Sequence, residues 1–263
     1  MILKIDFKID ELSSMKKYPE ELYCIGNLDL LKKRKISIIG SRRPNSYTKE
    51  FTYKLASKFS DTGICIISGA AMGVDAIAHQ GAKSNNTIAI VANGLNIRYP
   101  SVNKNLILDI EKNGLVLSAY KENEKARNYT FVHRNEIVVA LSEFLIVTEA
   151  DLDSGSLTSV NYALKMGKEV FTIPHRINES LGTQNLVKQG LIKVIYDVDE
   201  FIYKTCGLQN KSIEDEVLLF CKNNPTYEIA IQKFPNKIFE YELEGKIKIE
   251  NGKIKIIWNL FKN

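Results

Sequence analysis

The 263-residue chain has one tryptophan, three histidines and four cysteines. No two of the cysteines, Cys24, Cys65, Cys206 and Cys221, form a CxxC pair, and Cys65 falls in an apolar run, so buried thiols are expected instead of a metal or redox site. No apolar run reaches the roughly 18–20 residues that span a bilayer, and Met1–Lys8 alternates apolar with charged residues where a signal peptide would have an apolar stretch. A soluble, cytoplasmic protein with no membrane partner is predicted. The sequence contains no GxxxxGK[ST] loop and no GxGxxG fingerprint, which disfavours nucleotide hydrolysis of the P-loop kind. It also offers no recognisable nucleophile–base pair, so no catalytic residue, cofactor or metal is expected.

Charge of either sign is not concentrated. The net +5 comes from 36 Lys and Arg against 31 Asp and Glu. Residues 1–40 carry 8 positive and 6 negative groups, residues 41–210 carry 19 and 17, and residues 211–263 carry 9 and 8. None is a basic arm able to grip a polyanion by bulk charge. Arginine is distributed differently, because six of seven (Arg42, Arg43, Arg98, Arg127, Arg134, Arg176) lie in the middle segment. Arginine suits bidentate phosphate contacts and stacking on bases, whereas lysine ordinarily solvates a surface. With 44% apolar and 25% charged residues, the composition is that of a globular protein and excludes a disordered or fibrous chain.

What is present is alternation. Short β-branched runs at Ile36–Ile39, Ile64–Ile67, Thr87–Ala92, Leu115–Ser118, Phe144–Thr148, Glu169–Ile173 and Lys193–Tyr196 are separated by amphipathic stretches. Lys49–Phe59, for instance, puts Phe51, Leu55 and Phe59 on one stripe, and Thr158–Met166 is rich in helix formers. This predicts βαβ units and an α/β fold, an extended parallel sheet of Rossmann type over residues 36–204. Residues 1–35 read as a cap on that sheet, with turns at Tyr18-Pro19 and Gly26-Asn27, and residues 205–211 read as a polar linker. Residues 212–263 suggest helices at Ile213–Lys222 and Ile238–Leu243, then a hairpin over Lys246–Ile257 around Asn251-Gly252, in a small winged-helix-like domain.

In a parallel sheet the ligand site lies beyond the carboxyl ends of the strands. Three loops there are unusual. Gly40-Ser41-Arg42-Arg43-Pro44 combines a glycine, a hydroxyl and a paired arginine, and reads as a phosphate fork or as a capping serine beside two solvated arginines. The run from Ser68-Gly69 to Gly73 and Asp75 exposes backbone N–H groups at a helix start, an anion site by its dipole. In this run Asp75 reads as a helix-start carboxylate and His79 as a packed or capping histidine, with a catalytic role the alternative for each. Ser154-Gly155-Ser156 repeats that chemistry after Glu149, Asp151 and Asp153, which read as solvated acids or as Mg²⁺ ligands. Around the same edge stand Tyr99-Pro100, Asn128-Tyr129, Phe131-Val132-His133-Arg134-Asn135, Lys168 and Pro174-His175-Arg176. Aromatics interleaved with Arg and His suit single-stranded nucleic acid; Tyr129 and Phe131 are equally readable as core.

At these loops the sequence resembles the DNA-processing protein A (DprA, or Smf) family, over roughly residues 17–203. The motifs are Gly40-Ser41-Arg42-x-Pro44, Ser68-Gly69-x-Ala71-x-Gly73-x-Asp75 with His79, Gly94 with Tyr99-Pro100, Phe131-x-x-Arg134-Asn135, Glu149 with Ser154-Gly155-Ser156, and Gly182-x-x-Asn185 with Gly190. The resemblance implies a non-enzymatic protein of natural transformation that binds and protects single-stranded DNA, helps load the RecA recombinase, and works as a homodimer. Carried over by position, Gly40, Ser41, Arg42 and Arg43 contact phosphate. Ser68, Gly69, Gly73, Ser154, Gly155 and Ser156 line the pocket, and Phe131, Arg134, Asn135 and Lys168 flank it. The sequence departs from the family pattern at Glu136, where a second basic residue is common, and at His175, where glycine usually follows the proline. The rival reading is a phosphoribohydrolase of the lysine-decarboxylase-like type, which binds a nucleoside monophosphate on a related sheet. Its PGGxGTxxE-like segment is missing from the chain.

Overall fold

The computed structural model describes residues 1–207 and 216–257. The chain divides into two compact units, Met1–Ile202 and Tyr203–Asn263. The first unit holds nine strands: β1 (Leu3–Lys4), β2 (Tyr23–Gly26), β3 (Lys35–Ile39), β4 (Cys65–Ser68), β5 (Thr87–Val91), β6 (Leu115–Ser118), β7 (Leu145–Val147), β8 (Val170–Thr172) and β9 (Lys193–Val194). They form one sheet in the order β1-β2-β6-β5-β4-β3-β7-β8-β9. Strands β3 to β9 are parallel, as the β-branched runs predicted. Every residue of β3 and β5 is buried, the pattern of a sheet covered on both faces.

The covering helices are α1 (Ser46–Asp61), α2 (Val74–Ala82), α3 (Lys104–Asn113), α4 (Asn128–Ala140), α5 (Gly155–Lys165), α6 (Leu181–Lys188) and α7 (Val198–Cys206). Alternation along β5 divides the core. Ile88 and Ile90 join Ile137, Val138, Val160 and Ala163 of α4 and α5, while Ala89 and Val91 join Ile107 and Ile110 of α3. The polar residues buried in the strands are satisfied locally, with Ser37 donating to the Val138 carbonyl and Thr87 to that of Ile66, both at 2.7 Å. Cys24 and Cys65 are buried as expected, and burial pushes the Cys65 thiol up to about 12; Cys206 is half-buried. Among the described residues no helix is long and apolar enough to cross a membrane.

The start of the chain does more than cap the sheet. β2 pairs antiparallel with β6 in the register Tyr23↔Ser118 to Gly26↔Leu115, and β1 adds Leu3↔Cys24. This segment therefore occupies the edge of β6 that would otherwise expose unpaired main chain. Gly26 allows it: at φ 111°, a Cβ here would lie 2.1 Å from the Gly114 carbonyl oxygen.

In the second unit α8 (Glu216–Cys221), α9 (Tyr227–Lys233) and α10 (Lys237–Leu243) precede a hairpin of β10 (Ile247–Glu250) and β11 (Lys253–Ile256). Asn251 and Gly252 both take positive φ, as the turn requires. Val217, Cys221, Ala230, Ile238, Ile247 and Ile254 form a separate core. Among the described residues this unit thus runs as three helices followed by a two-stranded hairpin. Of the expected linker, Thr205 and Cys206 complete α7, while 208–211, like 213–215 of the expected helix, lie outside the described residues.

Candidate nucleic-acid interface

The sheet order contains a reversal. After β3 the chain adds β4, β5 and β6 on one side, then returns to place β7 on the other side of β3. Loops leaving β3 and β7 part at such a point and leave a crevice. A cavity of about 420 Å³ lies there. Gly40 and Arg42 come from the loop after β3, Gly69 from the turn after β4, Asp75 from the first turn of α2, Phe131, Arg134 and Asn135 from α4, and Ser154, Gly155 and Ser156 from the start of α5. The three loops singled out in the sequence do converge.

The wall formed by α5 is a helix N-terminus. Ser154 is its N-cap, accepting from the Ser156 amide at 3.2 Å, and the Ser156 hydroxyl donates to the Gly40 carbonyl at 3.0 Å. The Ser156 hydroxyl thus ties the start of α5 to the loop after β3. Gly155 between them meets nothing within 4 Å of its would-be Cβ, so the main chain at the positive end of α5 stays open to an anion.

Phe131 lines the same cavity, with the guanidinium carbons of Arg42 and Arg134 at 5.6 and 5.7 Å from its ring centroid and Tyr99 at 6.2 Å. The two arginines differ in kind. Arg42 is exposed and has no ion-pair partner among the described residues. Arg134 is buried, and its Nη1 donates to the carbonyls of Gly69 and Ile90, the latter at 3.0 Å, while Nε donates to the Asn135 Oδ1 at 3.0 Å. It ties the ends of β4 and β5 together, a structural role added to the flanking one. Burial lowers its pKa, with Asp75 opposing and Arg42 reinforcing the shift. Burial likewise raises the Asp75 carboxyl despite Arg134. Two guanidinium groups of like charge around one ring, served by one buried carboxylate, leave a surplus of positive charge that an anion would relieve.

Other expected site residues support this cavity without lining it. Ser41 accepts from the Arg43 amide at 3.1 Å, and the Arg43 side chain is exposed. Ser68 is buried and donates to the Ile38 carbonyl, and Gly73, at φ 76°, packs against the backbone of Ser41 and Arg42. Lys168 is a correction. It precedes β8, at the amino end of the strands, and its Nζ donates to the carbonyls of Val139, Ala140 and Ser142, at 2.9, 2.7 and 2.5 Å. It caps the far end of α4, where a cation favours the helix dipole, and does not flank the cavity. Glu149 accepts from the Thr48 hydroxyl and the Asn45 amide, anchoring α1. Of the residues that depart from the family pattern, Glu136 is buried and accepts from the Lys16 amide, and His175 Nε2 lies 2.7 Å from the Thr148 carbonyl oxygen. His79 is packed, its Nδ1 2.7 Å from the Thr87 hydroxyl, and burial drives its pKa down to about 3.

Asn128 and Val132, placed at this edge from the sequence, do line the cavity, as does Asp75, read there as a helix-start carboxylate; Thr158 and Ser159 also line it and were not anticipated. Helical spacing carries the signal: residues 128, 131, 132 and 135 fall at i, i+3, i+4 and i+7 on one face of α4, and 158 and 159 stand three and four residues beyond Gly155 on α5.

A doubly wound α/β protein, with an arginine-flanked aromatic ring and a helix N-terminus lining one cavity at the switch point of its sheet, is the class that fold and site define. The chain belongs to the DNA recombination-mediator protein A family, whose profile matches residues 8–205. It is 36% identical over 184 residues to the DNA processing protein DprA of Streptococcus pneumoniae, covering 68% of this chain and 65% of that one. The curated relatives are longer, and the match takes in 45% to 65% of their length. Among solved structures, the DNA processing protein A of Helicobacter pylori, described for its single-stranded DNA binding mode, superposes with a TM-score of 0.76 at 37% identity, covering 78% of this chain and 95% of that one. The structure of the Streptococcus pneumoniae protein gives a TM-score of 0.70 at 34% identity, covering 76% and 72%.

Proposed function

We propose that this chain is a non-enzymatic single-stranded DNA-binding protein that protects incoming DNA in natural transformation and helps load the RecA recombinase, acting as a cytoplasmic homodimer. The observation that carries the DNA part is the placement of Arg42 and Arg134 by the Phe131 ring in a cavity also lined by the N-terminus of α5. Phosphate is served by the exposed Arg42 guanidinium and the helix amides, and a base by aromatic faces, where stacking is worth about 1–3 kcal/mol per base. Recognition through backbone charge and ring faces tolerates any sequence and requires an unpaired strand. The single-stranded DNA binding mode of the Helicobacter pylori relative supports this reading, and membership of a recombination-mediator family supports the RecA and transformation roles. An electrophoretic shift comparing single-stranded with duplex DNA, run beside a nucleoside-monophosphate hydrolysis assay, tests it. Preference for the single strand and no ribose phosphate released is the expected pair of results; a released ribose phosphate would favour the phosphoribohydrolase reading.

A further inference from the structure

A second cleft, of about 500 Å³, opens on the same edge of the sheet, lined by Asn45, Ser46 and Tyr47 at the start of α1 and by Pro174, His175, Arg176 and Glu179 after β8. Arg42 lines the first cavity and Asn45 the second, so three residues of chain, at most ~11 Å, connect the two linings. The cleft is more than a dent between loops. The Tyr47 ring lies 6.2 Å from His175 in an edge-on arrangement at 72° and 4.7 Å from Phe51, and remains 38% exposed. His175 is fixed by its 2.7 Å contact with the Thr148 carbonyl, so the ring presented beside Tyr47 is held in place. Exposed Arg43 and Arg176 stand on the two segments that border the cleft, and neither has an ion-pair partner among the described residues. The lining includes a carboxylate, Glu179, which suits an uncharged ring with a hydrogen-bond donor better than a phosphate.

We propose that this cleft is a second nucleotide subsite, in which a base of the same single strand stacks on Tyr47 beside His175 while the adjoining phosphates meet Arg43 and Arg176. The subsite rests on the reading of the first cavity as a single-stranded DNA site. It belongs to this chain in particular, because a glycine at position 175 would leave Tyr47 without its ring partner.

Oligonucleotide length separates the two sites. Fluorescence anisotropy with labelled oligothymidylates of about three to about twenty nucleotides brackets the site sizes of single-strand binders. Wild-type affinity is expected to rise with length as the second cleft fills. Tyr47→Ala should lose roughly tenfold on the long oligonucleotides and nothing on the shortest, His175→Gly should lose less, and Tyr47→Phe, which keeps the ring, should bind like wild type. Arg42→Ala should lose affinity at every length. If Tyr47→Ala and His175→Gly match wild type on long oligonucleotides while Arg42→Ala is weakened, the second subsite is refuted and the first stands. Failure of the wild type to bind at any length overturns both.

Discussion

Gly69→Ala is the smallest change that should damage the site. A Cβ at this position would lie 2.1 Å from Nη1 and 2.5 Å from Cζ of Arg134, and 2.7 Å from Oδ2 of Asp75. All three contacts are shorter than any real Cβ makes, so something must move. The guanidinium cannot swing aside freely, since it is buried and anchored on the Gly69 and Ile90 carbonyls. Losing one charge-assisted hydrogen bond costs about 1.5–3 kcal/mol, and overpacking a filled site about 1–3 kcal/mol. Together these come to about 2.5–6 kcal/mol. For a unit of this size each kcal/mol lowers Tm by about 2–4 °C, which gives a fall on the order of 10 °C by calorimetry. Where the chain instead yields by pushing Arg134 into the cavity, affinity for a single-stranded oligonucleotide falls with it. Combining Gly69→Ala with Arg134→Met, which removes the clashing group, should cost less than the two changes summed, the mark of direct contact. A Gly69→Ala protein with wild-type Tm and wild-type affinity would refute this packing.

Three further outcomes follow from the geometry. Lys168→Gln should cost about 1–2 kcal/mol by urea denaturation, because the carbonyls at the end of α4 lose a cationic cap, yet leave oligonucleotide affinity unchanged; a large loss of binding would return Lys168 to the interface. His79, whose pKa falls to about 3 when folded, binds a proton more readily unfolded, so its contribution to stability is complete above about pH 6.5 and is lost as pH drops toward 3. Replacing it with Gln should flatten that part of a stability–pH curve, and an unchanged slope would contradict its burial; Asp75, shifted upward, acts in the opposite sense, adding stability below its folded pKa. Removing residues 207–263 should leave single-stranded DNA affinity nearly intact, as the cavity is built wholly from the first unit, and a large loss in anisotropy would show the site misplaced.

The sheet was legible because its central parallel strands, β3 to β7, are buried on both faces and so read as short continuous apolar runs, with Leu115–Ser118 matching to the residue. The converging loops were legible because a strand end followed by Gly and Ser marks close backbone approach. Pairing was not, since nothing local in Tyr23–Gly26 says that its main chain will close the edge of β6. Lys168 misled because a lysine that caps carbonyls and one that meets phosphate are the same residue in a sequence, and only its position at the amino end of β8 separates them. Arg134 was identified, but its second task was hidden: the carbonyls it holds, Gly69 and Ile90, lie 65 and 44 residues away in the chain. The α9 helix, Tyr227–Lys233, was not anticipated from the sequence.

The central claim is that a focused site, not bulk charge, holds a single DNA strand. Anisotropy titrations of wild type and Arg42→Ala across a series of salt concentrations test it most directly. Single-strand affinity should exceed duplex affinity and fall with salt by about 0.7 in log–log slope for each phosphate neutralised. Arg42→Ala should weaken binding by about 1.5–3 kcal/mol and flatten the slope by about one such contact. Equal affinity and equal slope for the two proteins, or no preference for the single strand, would contradict it.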